Sequence, residues 1–397
     1  MQTVALGVLV FARTGQPGWT GLVAAAGFVP IGLLAPVGGA LADRLDRRRW
    51  LIATTLAEMF FAAVLAVLAA TGHDPPGVLV VLAFLGGASG AIGFPAYQAI
   101  VPDLVPTEDL LGAVSLSSAQ FNLGRVVGPA LAGVALLTHN YGVVFGINAA
   151  SFGAVVIALT MVRLPPPVGG AGDGQGMVAR IAGGIRAARS EPGCRAAIGL
   201  IAVVALLASP FIALVPAMSG VLHRDGISTQ VGTAILVTAQ GVGAVIGALA
   251  LAPLADRWGR RAVVQGALFV LPPALVLYGV APSLWLAALL FLGVGAVYIA
   301  VLSGLNTVVQ LRAPAEARGR VLSIYMMGLG LVYPLGAVVQ GAVADRTGVR
   351  WVTIGGALAL LAVVTAIAVV RPTVFGALGD RATVGAGPAD LATEELP

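Results

Sequence analysis

Two ionisable side chains interrupt long apolar runs, Glu58 and Arg125. A charge in hydrocarbon is costly, so it persists where it binds a proton, finds a partner, or meets water or substrate. Glu58 is thus a candidate proton carrier and Arg125 a candidate cavity, gating or helix-locking residue. For Glu58 the competing reading is a carboxylate reaching back to the interface, because it follows the arginine cluster by about 8 residues, or ~12 Å of helix. Arg125 falls about 15 residues into its run, near mid-depth, so the two can pair only with long reach and favourable tilt. A second set of charges lies at the ends of apolar runs. In GGALADRLDRRRWL, residues 38–51, Asp43 stands at a helix end where a carboxylate can cap free amides, and Arg44, Arg47, Arg48 and Arg49 hold the loop at a membrane surface. The block returns as LAPLADRWGRRAVV, residues 251–264, with Asp256, Arg257, Arg260 and Arg261 matching Asp43, Arg44, Arg47 and Arg48 at a constant offset of 213.

The remaining candidates are uncharged. Tyr97, Gln98, Asn122, Gln240, Tyr298, Asn306, Tyr325 and Tyr333 punctuate otherwise apolar runs. As a set they are a candidate lining for an apolar cavity with sparse hydrogen-bonding groups; taken singly, each reads first as a helix–helix hydrogen bond. Chemistry of other kinds is poorly served. His73, His139 and His223 fall in separate turns, Cys194 is the only cysteine, and there is no lysine for a GxxxxGK[ST] nucleotide loop. No enzyme activity, cofactor or metal is expected.

The elements that carry these residues are membrane helices. Of the 397 residues 58% are hydrophobic and only 10% charged, with mean hydropathy +0.98. A water-facing surface needs about a quarter of residues charged, so lipid must be the solvent. The pI of about 10.0 reflects arginines set between apolar runs, which is the membrane-orientation pattern and not a nucleic-acid surface. Spans are predicted at 19–41, 50–71, 77–101, 110–137 and 142–162, after a short apolar segment at 1–13. A proline- and glycine-rich linker with a basic amphipathic helix occupies 163–195. Further spans follow at 196–221, 228–254, 262–281, 284–311, 319–343 and 350–370, and then a polar tail, 371–397, expected to be disordered. With the 42–49 loop in the cytoplasm, only Arg13, Arg224, Arg346 and Arg350 fall outside and Arg125 within a span; the rest of the 22 arginines are cytoplasmic.

The repeat extends beyond the loops. At an offset of 208, Pro106, Ser115, Gly128 and Gly133 fall on Pro314, Ser323, Gly336 and Gly341. An all-α membrane protein of two six-helix halves follows, 1–162 and 196–370. On the paired loops GGALADRLDRRR and LAPLADRWGRR the chain resembles the major facilitator superfamily over nearly its whole length. That resemblance implies alternating access, with Asp43, Arg44 and Arg47 in a charge network that latches the halves and couples them to a proton gradient. Within the superfamily, LGRVVGPALAG at 123–133 is similar to the glycine-proline motif of drug/proton antiporters, matching at Gly124, Gly128, Pro129 and Gly133 but with Ala132 for a glycine and Ser115 for an earlier one. The overall pattern is similar to the enterobactin-exporter and macrolide-efflux branch. The resemblance implies a monomeric, proton-coupled exporter of amphipathic small molecules, such as antibiotics, drugs or siderophores, in a bacterial inner membrane. An importer of a small metabolite, and a transport-inactive scaffold or sensor, stay open as alternatives. Subtracting 213 from the second half sets Met1 opposite Leu214, well inside the span that starts near 196, and residues 1–13 fall short of the ~20 a bilayer requires. The chain is therefore expected to begin within its first transmembrane helix.

Overall fold

The computed structural model describes residues 1–106, 140–161, 177–222, 227–314 and 317–379, together with scattered positions between 109 and 138. Among these residues the secondary structure is entirely helical. In the first half, α1 (Gln2–Thr14), α2 (Pro17–Arg44), α3 (Arg47–Thr71), α4 (Pro76–Asp103) and α5 (Tyr141–Met161) follow one another. The predicted span 110–137 lies almost wholly outside the described residues. Helix α6 (Met177–Ser190) occupies the linker, and the second half runs α7 (Pro192–Leu207), a 3-10 turn (Ser209–Ile212), α8 (Val215–Val221), α9 (Thr229–Trp258), α10 (Arg260–Val280), α11 (Leu284–Arg312), α12 (Arg318–Thr347), α13 (Val349–Val370) and α14 (Pro372–Gly376). Nine of the described helices are long and apolar enough to cross a bilayer. Exposed Trp258 lies at the end that carries the arginine loops, and exposed Trp285 and Trp351 at the far end, where indole rings suit the headgroup layer.

Helices here extend beyond the apolar runs and into the arginine loops. α2 ends at Arg44 and α3 starts at Arg47, with Asp46 as its N-cap: the carboxylate accepts from the Arg49 amide at 2.7 Å. Between α9 and α10 the only linking residue is Gly259, at φ 80°, a conformation that favours glycine.

The tightest helix crossing of the first half recurs in the second. A Cβ on Gly87 of α4 would strike the Gly27 carbonyl of α2, and a Cβ on Gly295 of α11 would strike the Gln240 carbonyl of α9. Those pairs are related by the offsets 208 and 213 read from the sequence. Without a hydrophobic force between helices in lipid, such close approach of backbones is what holds them.

The halves meet along α2 and α12, which run antiparallel. Contacts extend from Gly18 beside Asp345, through Gly21 against the Ala337 carbonyl and Phe28 against Tyr333, to Gly32 against Leu331. Further toward the arginine end, no other helix among the described residues comes within 4 Å of where a Gly39 Cβ would stand.

Two sequence expectations change. The predicted continuous span 196–221 is broken at 208–214, because Pro210 lacks an amide and the carbonyl four residues earlier loses its donor. Gln340 of α12 supplies the replacement: its Nε2 donates to Leu206 O at 2.9 Å and Leu207 O at 3.0 Å. Nor does the chain lose its order at residue 371. α14 turns back with Phe375 buried against Phe269, so the polar tail starts later, and residues 380–397 lie outside the described ones. The linker helix α6 meets α7 at 110°, as a segment lying across the arginine end.

Candidate functional site

The loop charges divide into separate tasks. α2 runs through Asp43 to Arg44, so Asp43 occupies a C-terminal turn, where the free backbone groups are carbonyls and a carboxylate caps nothing. The amide-capping role expected of Asp43 belongs to Asp46. The side chains of Asp43 and Arg44 lie outside the described residues. Arg48 reaches across the arginine end and donates to the last carbonyls of α5, Leu159 O at 2.7 Å and Thr160 O at 2.5 Å. It thereby closes a helix C-terminus, where a cation is also favoured by the helix dipole. In the second copy Asp256 is exposed, and the Arg257 guanidinium lies 5.9 Å from the ring centroid of its neighbour Trp258.

Glu58 stands midway along α3, because that helix begins at Arg47 and not near residue 50. The carboxylate is half-buried and rests against α4, with Oε1 2.7 Å from where a Gly90 Cβ would be. One turn earlier on α3, Thr54 fills the space over Gly93 in the same way. Two glycines in α4 thus make room for one acid and one hydroxyl at the centre of the first half. Arg125, Asn122, Pro129 and Gly133 lie outside the described residues. Gly124 and Gly128 are described and helical.

The polar candidates do not converge on one place. Tyr325 donates to Leu302 O at 3.0 Å and is buried between α11 and α12. Tyr298 donates to Ser209 Oγ at 2.8 Å, across to the broken helix, and belongs to a ring cluster with Phe211, Phe291 and Tyr278 inside the second half. Tyr97 bridges α4 to Ser117 Oγ and Gln120 Oε1, each at 3.1 Å. Gln98 is exposed, and Gln240 lies at the α9–α11 crossing. Asn306 keeps a buried Oδ1 with no hydrogen-bond donor among the described residues. Tyr333 touches the other half: its ring meets Phe28 edge-on at 5.1 Å.

Several polar contacts escaped the sequence reading because their partners are remote in the chain. Glu191 N-caps α7 at the Cys194 amide, 2.7 Å, and pairs with Arg312, Nε 2.8 Å from Oε1, in a buried bridge that also reaches Gly379 O at 3.3 Å. Arg312 is thus more than one of the arginines that orient the chain. At the far end Arg13 pairs with the buried Asp74 at 3.0 Å. In the first half Asn148 Nδ2 donates to Gln2 Oε1 at 2.9 Å.

The family model described as "transmembrane secretion effector" matches residues 1–384. The chain belongs to that family. It is a multi-pass transporter of the major facilitator fold, and its family members are transporters, not enzymes. The multidrug efflux pump Tap of Mycobacterium tuberculosis is 30% identical over 389 residues, covering 93% of this chain and 88% of that protein. Macrolide efflux protein A of Streptococcus pyogenes is 25% identical, covering 91% and 88%. Among solved structures, a bacterial homolog of the human lysosomal transporter Spinster superposes with TM-score 0.72 at 17% identity, covering 96% and 95%. The nucleoside transporter NupG does so at 0.69 and 12%, covering 95% and 96%. These two share the fold.

Proposed function

We propose that this efflux protein carries amphipathic organic molecules, macrolide-like antibiotics, other drugs or siderophores among them, out of the bacterial cytoplasm in exchange for protons, working as a monomer in the inner membrane. The observation that carries the reading is a contrast: a half-buried carboxylate, Glu58, midway along α3 in one half, and an apolar aromatic contact, Phe28 to Tyr333, between the halves. An apolar contact between the halves suits an amphipathic substrate, and a carboxylate within the first half can hold a proton. The full-length likeness to Tap and to macrolide efflux protein A supports both the substrate class and the outward direction.

The arginine end faces the cytoplasm by the distribution of its charges. Asp43, Arg44 and Arg47, with their copies Asp256, Arg257 and Arg260, hold that end in one conformation and release it in the other. Arg125 positions the span 110–137 against the cavity, and the glycine-proline segment around Gly128 and Pro129 lets that span bend. Everted membrane vesicles with an acidified interior test the reading: radiolabelled erythromycin should accumulate, and nigericin should collapse the accumulation. Accumulation that ignores nigericin would remove proton exchange; none at all, with protein present, would remove macrolide-like substrates.

A further inference from the structure

The far end of the molecule is closed by hydrogen bonds that cross from one half to the other. α2 begins there with Gln16, which makes no side-chain cap, followed by Pro17 and Gly18. The first amides of a helix need acceptors from somewhere. Here the acceptor comes from the opposite half: Asp345, near the end of α12, takes the Gly18 amide on its Oδ1 at 2.9 Å. A carboxylate on a helix N-terminus is favoured by both the charge and the dipole. The fit is close, since a Cβ on Gly18 would run into the Asp345 carboxylate and one on Gly341 would come within 3.0 Å of Pro17 O. Adding the repeat offset of 213 to Pro17 gives Gln230, at the start of α9. There a second bond crosses the halves, Gln230 Nε2 to the Tyr141 hydroxyl at 2.8 Å. The starts of two helices related by the repeat are thus each tied to the other half. Asp345 lies within Ala344-Asp345-Arg346, a third Ala-Asp-Arg after an apolar run, set at the end of the molecule opposite to the loops at 42–44 and 255–257.

We propose that Asp345 with the Gly18 amide, and Gln230 with Tyr141, form the outer gate of the transporter. Both bonds exist only while α2 stays against α12 and α5 against α9. Opening the far end to release substrate must break them and hand the freed groups to water, so the clasps set how much of the protein faces outward at rest. Of the two, the charged clasp is the stronger. This inference rests on the orientation argued above, in which the far end is external.

The test uses a Cys194→Ser background with a reporter, Ala24→Cys, in the buried cluster just behind the clasp, with Tyr333 and Ala337. Whole cells are treated with a membrane-impermeant maleimide. Asp345→Ala should raise the labelling rate of the reporter by about three- to tenfold, the scale of one lost charged hydrogen bond screened by water. Asp345→Asn keeps an oxygen acceptor and should fall between Asp345→Ala and the parent. An equal rate in Asp345→Ala and the parent, at equal protein level, would overturn the gate. A second measurement does not depend on that variant folding well: Gly18→Cys with Asp345→Cys, oxidised, should stop export and regain it with dithiothreitol, and undiminished export by the cross-linked protein would also overturn it. Thr71→Cys, at the turn before Gly72, reports the orientation separately. If it labels only after the cells are permeabilised, the orientation has failed and not the clasp.

Discussion

The two halves share a scaffold and differ in what they place on it. Where α5 crosses α3, the glycine is Gly142 on α5, packed on Ala70 and Ala66; at the equivalent crossing in the second half, the glycine is Gly279 on α10, packed on Ile354 and, more loosely, on the Arg350 carbonyl of α13. The register is kept and the small residue has moved to the partner helix, so close approach is required at the crossing while either helix can provide it. The centre of each half shows a deeper divergence. Offsets of 213 and 208 carry Glu58 and Gly90 onto Leu271 and Tyr298, both buried in the second half's core. An acid with a glycine niche stands in one half, and a leucine with a tyrosine in the other. The first half thus keeps a carboxylate at its centre, and the second is packed there with the rings of Tyr298, Phe211, Phe291 and Tyr278.

Exchanging the central residues is the strongest way to break that comparison. Leu271→Glu puts a carboxylate where exposure is 0% and no glycine makes room, which should cost about 3 kcal/mol in a membrane helix. Little protein should then be found in the membrane on a blot against the parent. The reciprocal change, Glu58→Gln, should leave protein levels near the parent, because an amide fits the same niche. Its gradient-driven accumulation should fall at least about tenfold, while substrate counterflow between equally buffered compartments is kept. If Glu58→Gln accumulates substrate as the parent does, the acid is structural and the proton binds elsewhere.

The spans and the repeat were legible because both are written in local pattern: apolar run length, the paired arginine loops, and glycines at a fixed offset. The start of the helix that carries Glu58 was misplaced for a local reason as well. A helix start was inferred at the edge of the apolar run, whereas Asp46 caps α3 three residues earlier and carries arginines into its first turn. What could not be read was anything that depends on remote partners. Pro210 signals a break, but nothing near it names Gln340 as the group that satisfies the freed carbonyls. Glu191 and Arg312 are 121 residues apart, and Gly18 and Asp345 are 327 apart. Tyr298 and Tyr325 were read as either cavity lining or helix ties; their hydroxyls are engaged with Ser209 and Leu302 O.

The shared scaffold makes a quantitative claim of its own. Gly87→Ala and Gly295→Ala each push a methyl into a backbone carbonyl of the neighbouring helix, Gly27 in one half and Gln240 in the other. Each should cost about 1–3 kcal/mol, the usual range for overpacking, and the two should agree within ~1 kcal/mol when thermal stability is measured in detergent. A large cost in one half alone would show that the crossings resemble each other in geometry without being equivalent in strain.

The smallest expected difference lies in the paired loops, and it separates their two copies. Arg48 and Arg261 occupy the same place in the repeat. The first donates to Leu159 O and Thr160 O at the end of α5. In the second half the offset of 208 carries Leu159 onto Ile367, whose carbonyl is taken by the backbone amide of Arg371 at 2.9 Å, while Arg261 is exposed. A guanidinium on a helix C-terminus contributes about 0.5–1 kcal/mol when partly exposed, through the carbonyls and the dipole together. Arg48→Ala should therefore lower stability by about that much, and Arg261→Ala should change it by less than ~0.3 kcal/mol, within the range of surface substitutions. Arg48→Lys distinguishes the contributions: an ammonium keeps the favourable charge but cannot span two carbonyls as the planar fork does, so a partial loss is expected. If both alanine variants cost the same, the arginines serve only to orient their loops, and the tie between Arg48 and α5 adds nothing to the fold.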